Sequence, residues 1–293
     1  MINFHKYGFL DAKRLKEYFK DYNFWLHRLN PIYLFIWSDL YKPEIAFTND
    51  FIYIRYLDSK EGMCYYPPIG SGDMKMALYL IKEDAIKNGF ELNISAIDDN
   101  LRNKLALYRI NSYLNEAESS YIYTTKALSF TDRRLYKRQI KAMYAFRDLN
   151  PDTYFKLVKK EDFPMMLEFV NEWHSKGGID SVSIYQRLNM LKKCMEHLYE
   201  LDLVGVLLLD SEYIYGLAIG SVINSMAYLH CAITLKGDAG AYENLISAFS
   251  AAVSNRARYI NLEEDYGNKE VKERLEGYKP YKRECLYSSF HLK

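Results

Sequence analysis

Ser225 to Asp265 leaves fewer folds open than any other stretch of this chain, because it reads as strand, glycine-bearing loop, helix, strand and acidic turn in succession. Met226-Ala-Tyr-Leu-His-Cys-Ala-Ile233 is a short apolar run with aromatic and branched members, as a buried strand requires. Lys236-Gly-Asp-Ala-Gly-Ala241 follows, and its glycines can take backbone angles closed to other residues. From Ala241 to Asn255 the apolar residues Leu245, Ile246, Phe249, Ala252 and Val253 have helical spacing. Arg258 to Leu262 is a second short strand, and Glu263-Glu264-Asp265 ends it. Such a loop aims several free N–H groups at one point in front of a helix, where the dipole also favours negative charge. A pyrophosphate or a carboxylate fits there.

The remaining residues place a similar series ahead of this one. Helices are expected at Leu10–Tyr22 and Ile32–Leu40, with Asn30 as cap and Pro31 in the first turn. Strands follow at Glu44–Thr48, Phe51–Leu57 and Met63–Tyr66. Pro67-Pro-Ile-Gly-Ser-Gly-Asp73 leads into a helix over Met74–Lys87, then a strand at Glu91–Ala96 and a helix at Asp98–Tyr108. Residues 109–120 read as a polar bridge, Tyr121–Tyr123 as a short strand, and Thr125–Phe146 as mostly helical and basic. The second part has a strand at Tyr154–Val158, helices at Lys160–Lys176 and Ser183–Glu200, and a hairpin of Leu203–Leu209 with Tyr213–Ser221. Gly177-Gly178 is the expected stop between the two helices. After the central stretch come a helix at Lys269–Leu275 and a last strand at Tyr281–His291. Both parts give two helices, an antiparallel meander, a glycine loop, a helix, a strand and a helix. The expectation is an α+β chain of two tandem acyl-CoA N-acyltransferase-like domains, each a mixed, mainly antiparallel sheet flanked by helices. The units are 1–115 and 151–293, joined by a basic segment at 116–150, with the more favoured active site in the second.

At 293 residues, 49% apolar and 26% charged, the chain can bury a large core. A net charge of +1 gives no global pull towards nucleic acid or an anionic membrane. Cys64, Cys194, Cys231 and Cys285 have neither Cys-x-x-Cys nor metal-ligand spacing, so reduced thiols and no metal are expected. With no long apolar run and no signal core, the expected location is cytoplasmic.

Candidate chemistry falls in three places. The loop residues Lys236, Gly237, Gly240, Ala241 and Tyr242 are candidates to hold a donor's phosphates, although Asp238 would repel one unless it points away; the plain alternative is a simple turn with Lys236 a solvated surface lysine. Gly70-Ser-Gly72, the matching place in the first part, reads as a structural turn. In the acidic turn, Glu263, Glu264 or Asp265 could take a proton from an attacking amine or orient a cationic amino acid; the plain alternative is a solvated helix cap. Arg134, Lys137, Arg138 and Lys141 are three or four residues apart and form a basic stripe suited to a tRNA backbone or cofactor phosphates; the plain alternative is a solvated inter-domain helix paired with Asp or Glu. Between Lys126 and Asp148 there are seven Lys/Arg against two Asp. Tyr121 and Tyr123 point the same way and either line a cleft between the domains or pack there. His230 and Cys231 read as a buried histidine and an inert buried thiol.

Several of these residues carry a family likeness. Tyr121-Ile-Tyr123, Leu128, Lys137-Arg138, Phe146, Trp173, Gly240-Ala-Tyr242, Tyr259-Ile-Asn-Leu-Glu-Glu-Asp-Tyr-Gly267 and Tyr278-Lys-Pro280 resemble an uncharacterised bacterial family. That family is related to the soluble C-terminal domain of phosphatidylglycerol lysyltransferase. Ile36-Trp37, Tyr66-Pro-Pro-Ile-Gly70 and Asp73 fit it too, so the resemblance spans nearly the whole chain. It implies two tandem acyltransferase-like domains and aminoacyl transfer from a charged tRNA. The expected activity is transfer of an acyl or aminoacyl group from a coenzyme A or aminoacyl-tRNA donor to an amine or hydroxyl acceptor. The alternative is a non-catalytic ligand-binding protein on the same scaffold.

Overall fold

The structure is a computed structural model that describes residues 2–21, 25–58, 60–176, 183–235, 240–262 and 264–292. Lys236, Gly237, Glu263 and the expected helix stop Gly177-Gly178 lie outside the described residues.

The chain opens with β1 (His5–Lys6), α1 (Phe9–Tyr18), α2 (Pro31–Ile36) and α3 (Ser38–Tyr41). An antiparallel run follows: β2 (Glu44–Phe47), β3 (Phe51–Asp58) and β4 (Gly62–Tyr65), with a short β5 (Ile69–Gly70) paired to β3. Next come α4 (Met74–Lys87), β6 (Leu92–Ile97), α5 (Asp99–Ala106) and β7 (Tyr113–Thr124). α6 (Thr125–Leu128) and α7 (Lys137–Leu149) lead to β8 (Tyr154–Leu157), α8 (Phe163–Ser175) and α9 (Ile184–Glu196). A second antiparallel run is β9 (Leu203–Leu209), β10 (Ile214–Ile223) and β11 (Met226–Thr234). α10 (Ala241–Val253), β12 (Tyr259–Asn261), α11 (Lys269–Gly277) and β13 (Lys282–Leu292) complete the chain.

Local chemistry sets most of these boundaries. The Asn30 side chain accepts from the N–H groups of Ile32 (2.8 Å) and Tyr33 (3.2 Å), which starts α2 with Pro31 in its first turn. Asp73 caps α4 and Asn268 caps α11 in the same way. Helix α4 buries Ala77, Leu78, Ile81 and Ala85, and α10 buries Leu245, Ile246, Phe249 and Val253, each along one stripe.

Two expectations are corrected. The polar bridge at 109–120 is largely β7, whose first half is too polar to read as a strand. Its pairing comes from β13, with Glu284 opposite Ser120 and Leu286 opposite Asn115. The single helix at 125–146 is broken. Asp132 accepts from the N–H groups of Arg134 and Leu135, Phe130 has φ 51°, and helix resumes only at Lys137. Arg134 therefore stands in a turn before α7, and only Lys137, Arg138 and Lys141 of the expected stripe are helical.

The strands form one sheet in the order β1-β2-β3-β4-β6-β13-β7-β12-β11-β10-β9-β8. Pairing is antiparallel except at β4–β6 and β11–β12, so the pattern reads the same from either end, centred on β13–β7. One apolar core runs along one face of the sheet and joins residues of α1 and α2 to residues of α8 and α9. The other face is covered by α4 and α5 at one end and by α6, α7, α10 and α11 at the other.

Candidate functional site

Strands β11 and β12 run parallel for only three pairs, Met226–Tyr259, Ala227–Ile260 and Tyr228–Asn261. Beyond them the strands part. β11 continues to Thr234, while the chain after Asn261 turns away, with the Leu262 N–H donating to the Tyr121 carbonyl at 3.1 Å. A cavity of about 730 Å³ opens in the gap, lined by Leu229 to Thr234 on one side and by Leu262, Glu264 and Tyr266 on the other. The first half of the chain closes it with Arg28, Tyr33, Trp37 and Glu118. At the same place the pairing of β10 with β11 skips a residue: Ile219 faces Cys231 and Gly220 faces Leu229. His230 is thus the extra residue of a β-bulge, which bends the strand and disrupts the ladder beside the cavity.

Glu264 is the buried anion of the site, 4% exposed. The Ser120 hydroxyl donates to Oε1 at 3.3 Å and the Tyr266 hydroxyl to Oε2 at 2.9 Å, while His27 Nδ1 lies 3.7 Å from Oε2. Burial alone would raise its pKa, but the polar contact of His27, then Arg28 and the Tyr266 hydroxyl, outweigh burial and hold the carboxyl below its usual range. Glu118 goes the other way. Burial raises its pKa even though Arg28 Nη2 is 3.0 Å away. Arg28 is 6% exposed, and its Nε has no hydrogen-bond partner among the described residues. On the far wall Arg187 sits near the rings of Trp173 (5.0 Å) and Trp37 (5.9 Å) and donates to Cys231 Sγ at 3.1 Å.

The other expected site residues fall in different places. Asp265 turns from the cavity: the Tyr121 hydroxyl donates to it at 2.7 Å, the Gly267 N–H at 2.8 Å, and Arg283 lies 3.7 Å away. Tyr121 and Tyr123 are fully buried and do not line the cavity; the Tyr123 hydroxyl donates to the Leu275 carbonyl at 2.6 Å. Tyr242 does line it, with the Arg274 guanidinium 4.2 Å from its ring centre. Gly240 has φ 92° and is pressed against α7, so that a Cβ there would lie 2.0 Å from the Ala142 carbonyl oxygen. Ala241 is buried behind it. Arg134, Lys137, Arg138 and Lys141 are exposed. Helix α7, which carries the last three, is tied to this end of the cavity, since Gln139 donates to the Gly277 carbonyl at 3.1 Å and Asn244 to the Met143 carbonyl at 3.2 Å.

Reading the chain alone missed His27, Arg28, Glu118, Ser120 and Ser221, and kept Asn30 only as a helix cap. None belongs to a local motif. The single clue was His27-Arg28 in an apolar setting between Leu26 and Leu29. Among the described residues no helix is long and apolar enough to cross a membrane, and no three His, Cys, Asp or Glu side chains are grouped to hold a metal ion.

A family model described as phosphatidylglycerol lysyltransferase, C-terminal, matches residues 27–288. No curated protein matches the chain. Among solved structures, a conserved protein of unknown function from Bacteroides thetaiotaomicron VPI-5482 superposes with a TM-score of 0.89 over 99% of both chains at 21% identity. The C-terminal domain of a putative lysylphosphatidylglycerol synthetase from Agrobacterium fabrum gives 0.69 at 10% identity, covering 97% of this chain and 93% of that one. A tandem GNAT protein from the clavulanic acid biosynthesis pathway gives 0.52 at 7% identity, covering 100% and 99%. At these identities the likenesses show a shared fold.

Proposed function

The chain belongs to the phosphatidylglycerol lysyltransferase C-terminal family, and from that premise we propose that it is an aminoacyltransferase that takes its aminoacyl group from a charged tRNA. The observation that carries this reading is Glu264, a buried carboxylate kept ionised on the wall of the cavity. A carboxylate there can receive a proton from the acceptor or hold a cationic amine. Its lowered pKa makes it a weak base and a lasting partner for an ammonium group. Glu264 holds the free amine of the aminoacyl group, which an acyl group from coenzyme A would lack. The His230 bulge supports the same picture, since it disrupts the ladder beside the cavity, near the place where the donor carbonyl must lie.

The start of α10, the expected phosphate site, favours tRNA over coenzyme A. The backbone of α7 lies against Gly240, and Glu243 adds negative charge in the first helical turn. The exposed Lys137, Arg138 and Lys141 instead give the tRNA backbone a surface next to the Tyr242–Arg274 end of the cavity. The palindromic sheet supports two tandem acyltransferase-like units, near 1–115 and 151–293, with β7, most of it in the joining segment, and β13 of the second unit at the sheet centre. Positioning and carbonyl polarisation supply most of the rate. The acceptor is an amine or a hydroxyl.

Calorimetric titration with aminoacyl-tRNA, deacylated tRNA and coenzyme A tests this. The expected result is saturable, salt-sensitive binding that prefers aminoacyl-tRNA. Glu264→Gln should remove that preference. Replacing Lys137, Arg138 and Lys141 with Gln should lower the slope of log K against log salt by roughly 2 to 3. Saturable coenzyme A binding without tRNA binding would overturn the donor. Glu264→Gln that slows transfer but leaves the preference intact would return Glu264 to the role of proton acceptor.

A further inference from the structure

Five buried side chains drawn from both halves of the sequence form one line ending at the cavity. Asn30, His27, Ser221, His230 and Glu264 are 0%, 0%, 0%, 1% and 4% exposed. Asn30 Nδ2 lies 3.3 Å from Ser221 Oγ, Ser221 Oγ 2.8 Å from His230 Nε2, His230 Nδ1 3.2 Å from His27 Nε2, and His27 Nδ1 3.7 Å from Glu264 Oε2. Water cannot reorient groups this deeply buried, so each must match the polarity of its neighbour.

The direction of the line follows from one end. Asn30 Oδ1 accepts from two backbone N–H groups of α2, which can only donate, so the amide cannot flip and Nδ2 must donate to Ser221. The partners of Ser221 Oγ among the described residues are Asn30 and His230. Its own proton therefore goes to His230 Nε2. That makes Nε2 an acceptor and puts the His230 proton on Nδ1, where it is given to His27 Nε2. His27 in turn carries its proton on Nδ1 and presents it to Glu264.

We propose that the amide of Asn30 fixes the proton positions of His230 and His27, so that Asn30, Ser221, His230 and His27 are positioning residues that keep Glu264 an oriented carboxylate. This rests on the ammonium-binding role of Glu264 given above. The other titratable groups facing the line are the Arg28–Glu118 pair and Tyr33, Tyr228 and Tyr266. A helix cap thus acts on a cavity formed mainly by the other half of the chain.

The test reads the protons directly. Ring 15N NMR of the intact protein at pH 7, with the two signals assigned by single His→Gln variants, is expected to show neutral His27 and His230 protonated on Nδ1. Nε2 protonation, or an imidazolium at either ring, would overturn the proposal. Asn30→Asp keeps an acceptor for the Ile32 and Tyr33 N–H groups but replaces the Nδ2 donor with an acceptor. Ser221 must then donate to residue 30, His230 to Ser221, and His27 to His230. Both rings are expected to switch to Nε2–H, with the preference for aminoacyl-tRNA over deacylated tRNA falling at least tenfold. Unchanged rings in that variant would overturn the proposal. Should Asn30→Asp fail to fold, Ser221→Ala breaks the line without touching the cap. It is expected to leave His230 a mixture of the two neutral forms, and a single retained Nδ1–H form would overturn the proposal. Ring protons as assigned in a protein that binds no tRNA would support the line while removing the functional reading above.

Discussion

Glu264 and Asp265 are adjacent carboxylates with different surroundings. Glu264 reaches the cavity and Asp265 the turn, where Tyr121, Gly267 and Arg283 surround it. The sequence marked the acidic cluster and left the choice among its members open. It equally left open whether Tyr121 and Tyr123 meet ligand or core, and packing places both in the core. His230 gives a prediction at this scale. Burial, and then the neighbouring His27, push its pKa well below 6.5, so the unfolded chain takes up a proton that the native chain refuses. Its contribution to stability is full above about pH 6.5 and falls as pH drops from there towards the folded value, by about 1.4 kcal/mol per pH unit. Urea unfolding at pH 7.0 and 5.5 should show this slope in the wild type and lose it in His230→Gln. Equal slopes in the two proteins would remove the assignment.

Helix α10 with Gly240 at its start was among the most legible elements, yet the partner of that glycine was not. Gly240 is needed for its left-handed backbone and for the main chain of α7 lying against it. Gly240→Ala is therefore expected to destabilise the protein by about 2 kcal/mol or more, read as a drop in the urea midpoint at unchanged m-value. A midpoint within experimental error of wild type would show that α7 yields easily. The same contact makes a bulky residue at 240 a poor probe of ligand binding, because packing would fail first. Strand β7 teaches the converse lesson. Its polar first half became strand through pairing with β13, an effect that local propensity does not contain.

At the scale of the molecule, β13 lies between β6 and β7, and β7 between β13 and β12, so the centre of the sheet interleaves the two ends of the sequence. One apolar core spans both halves on one face. Residues 1–150 alone would lack β13 and leave β6 and β7 without the strand between them. That fragment is expected to show no near-UV circular dichroism, whereas co-expression with 151–293 should restore it, and the intact chain should unfold in one transition. A natively folded 1–150 fragment would contradict this. The amino-acid sequence by itself determined the α+β class, most of the helices and strands, the Asn30 cap and helix α10 between Gly240 and the strand that follows it. Those features follow from hydrophobic spacing and from side chains bonding to backbone a few residues away. Only the tertiary structure decided that Glu264 faces a cavity, that α7 closes on Gly240, and that Asn30, Ser221, His230 and His27 form a line to Glu264. These depend on groups separated by up to about 240 residues, whose meeting is set by strand order and shared burial and leaves no local pattern to read.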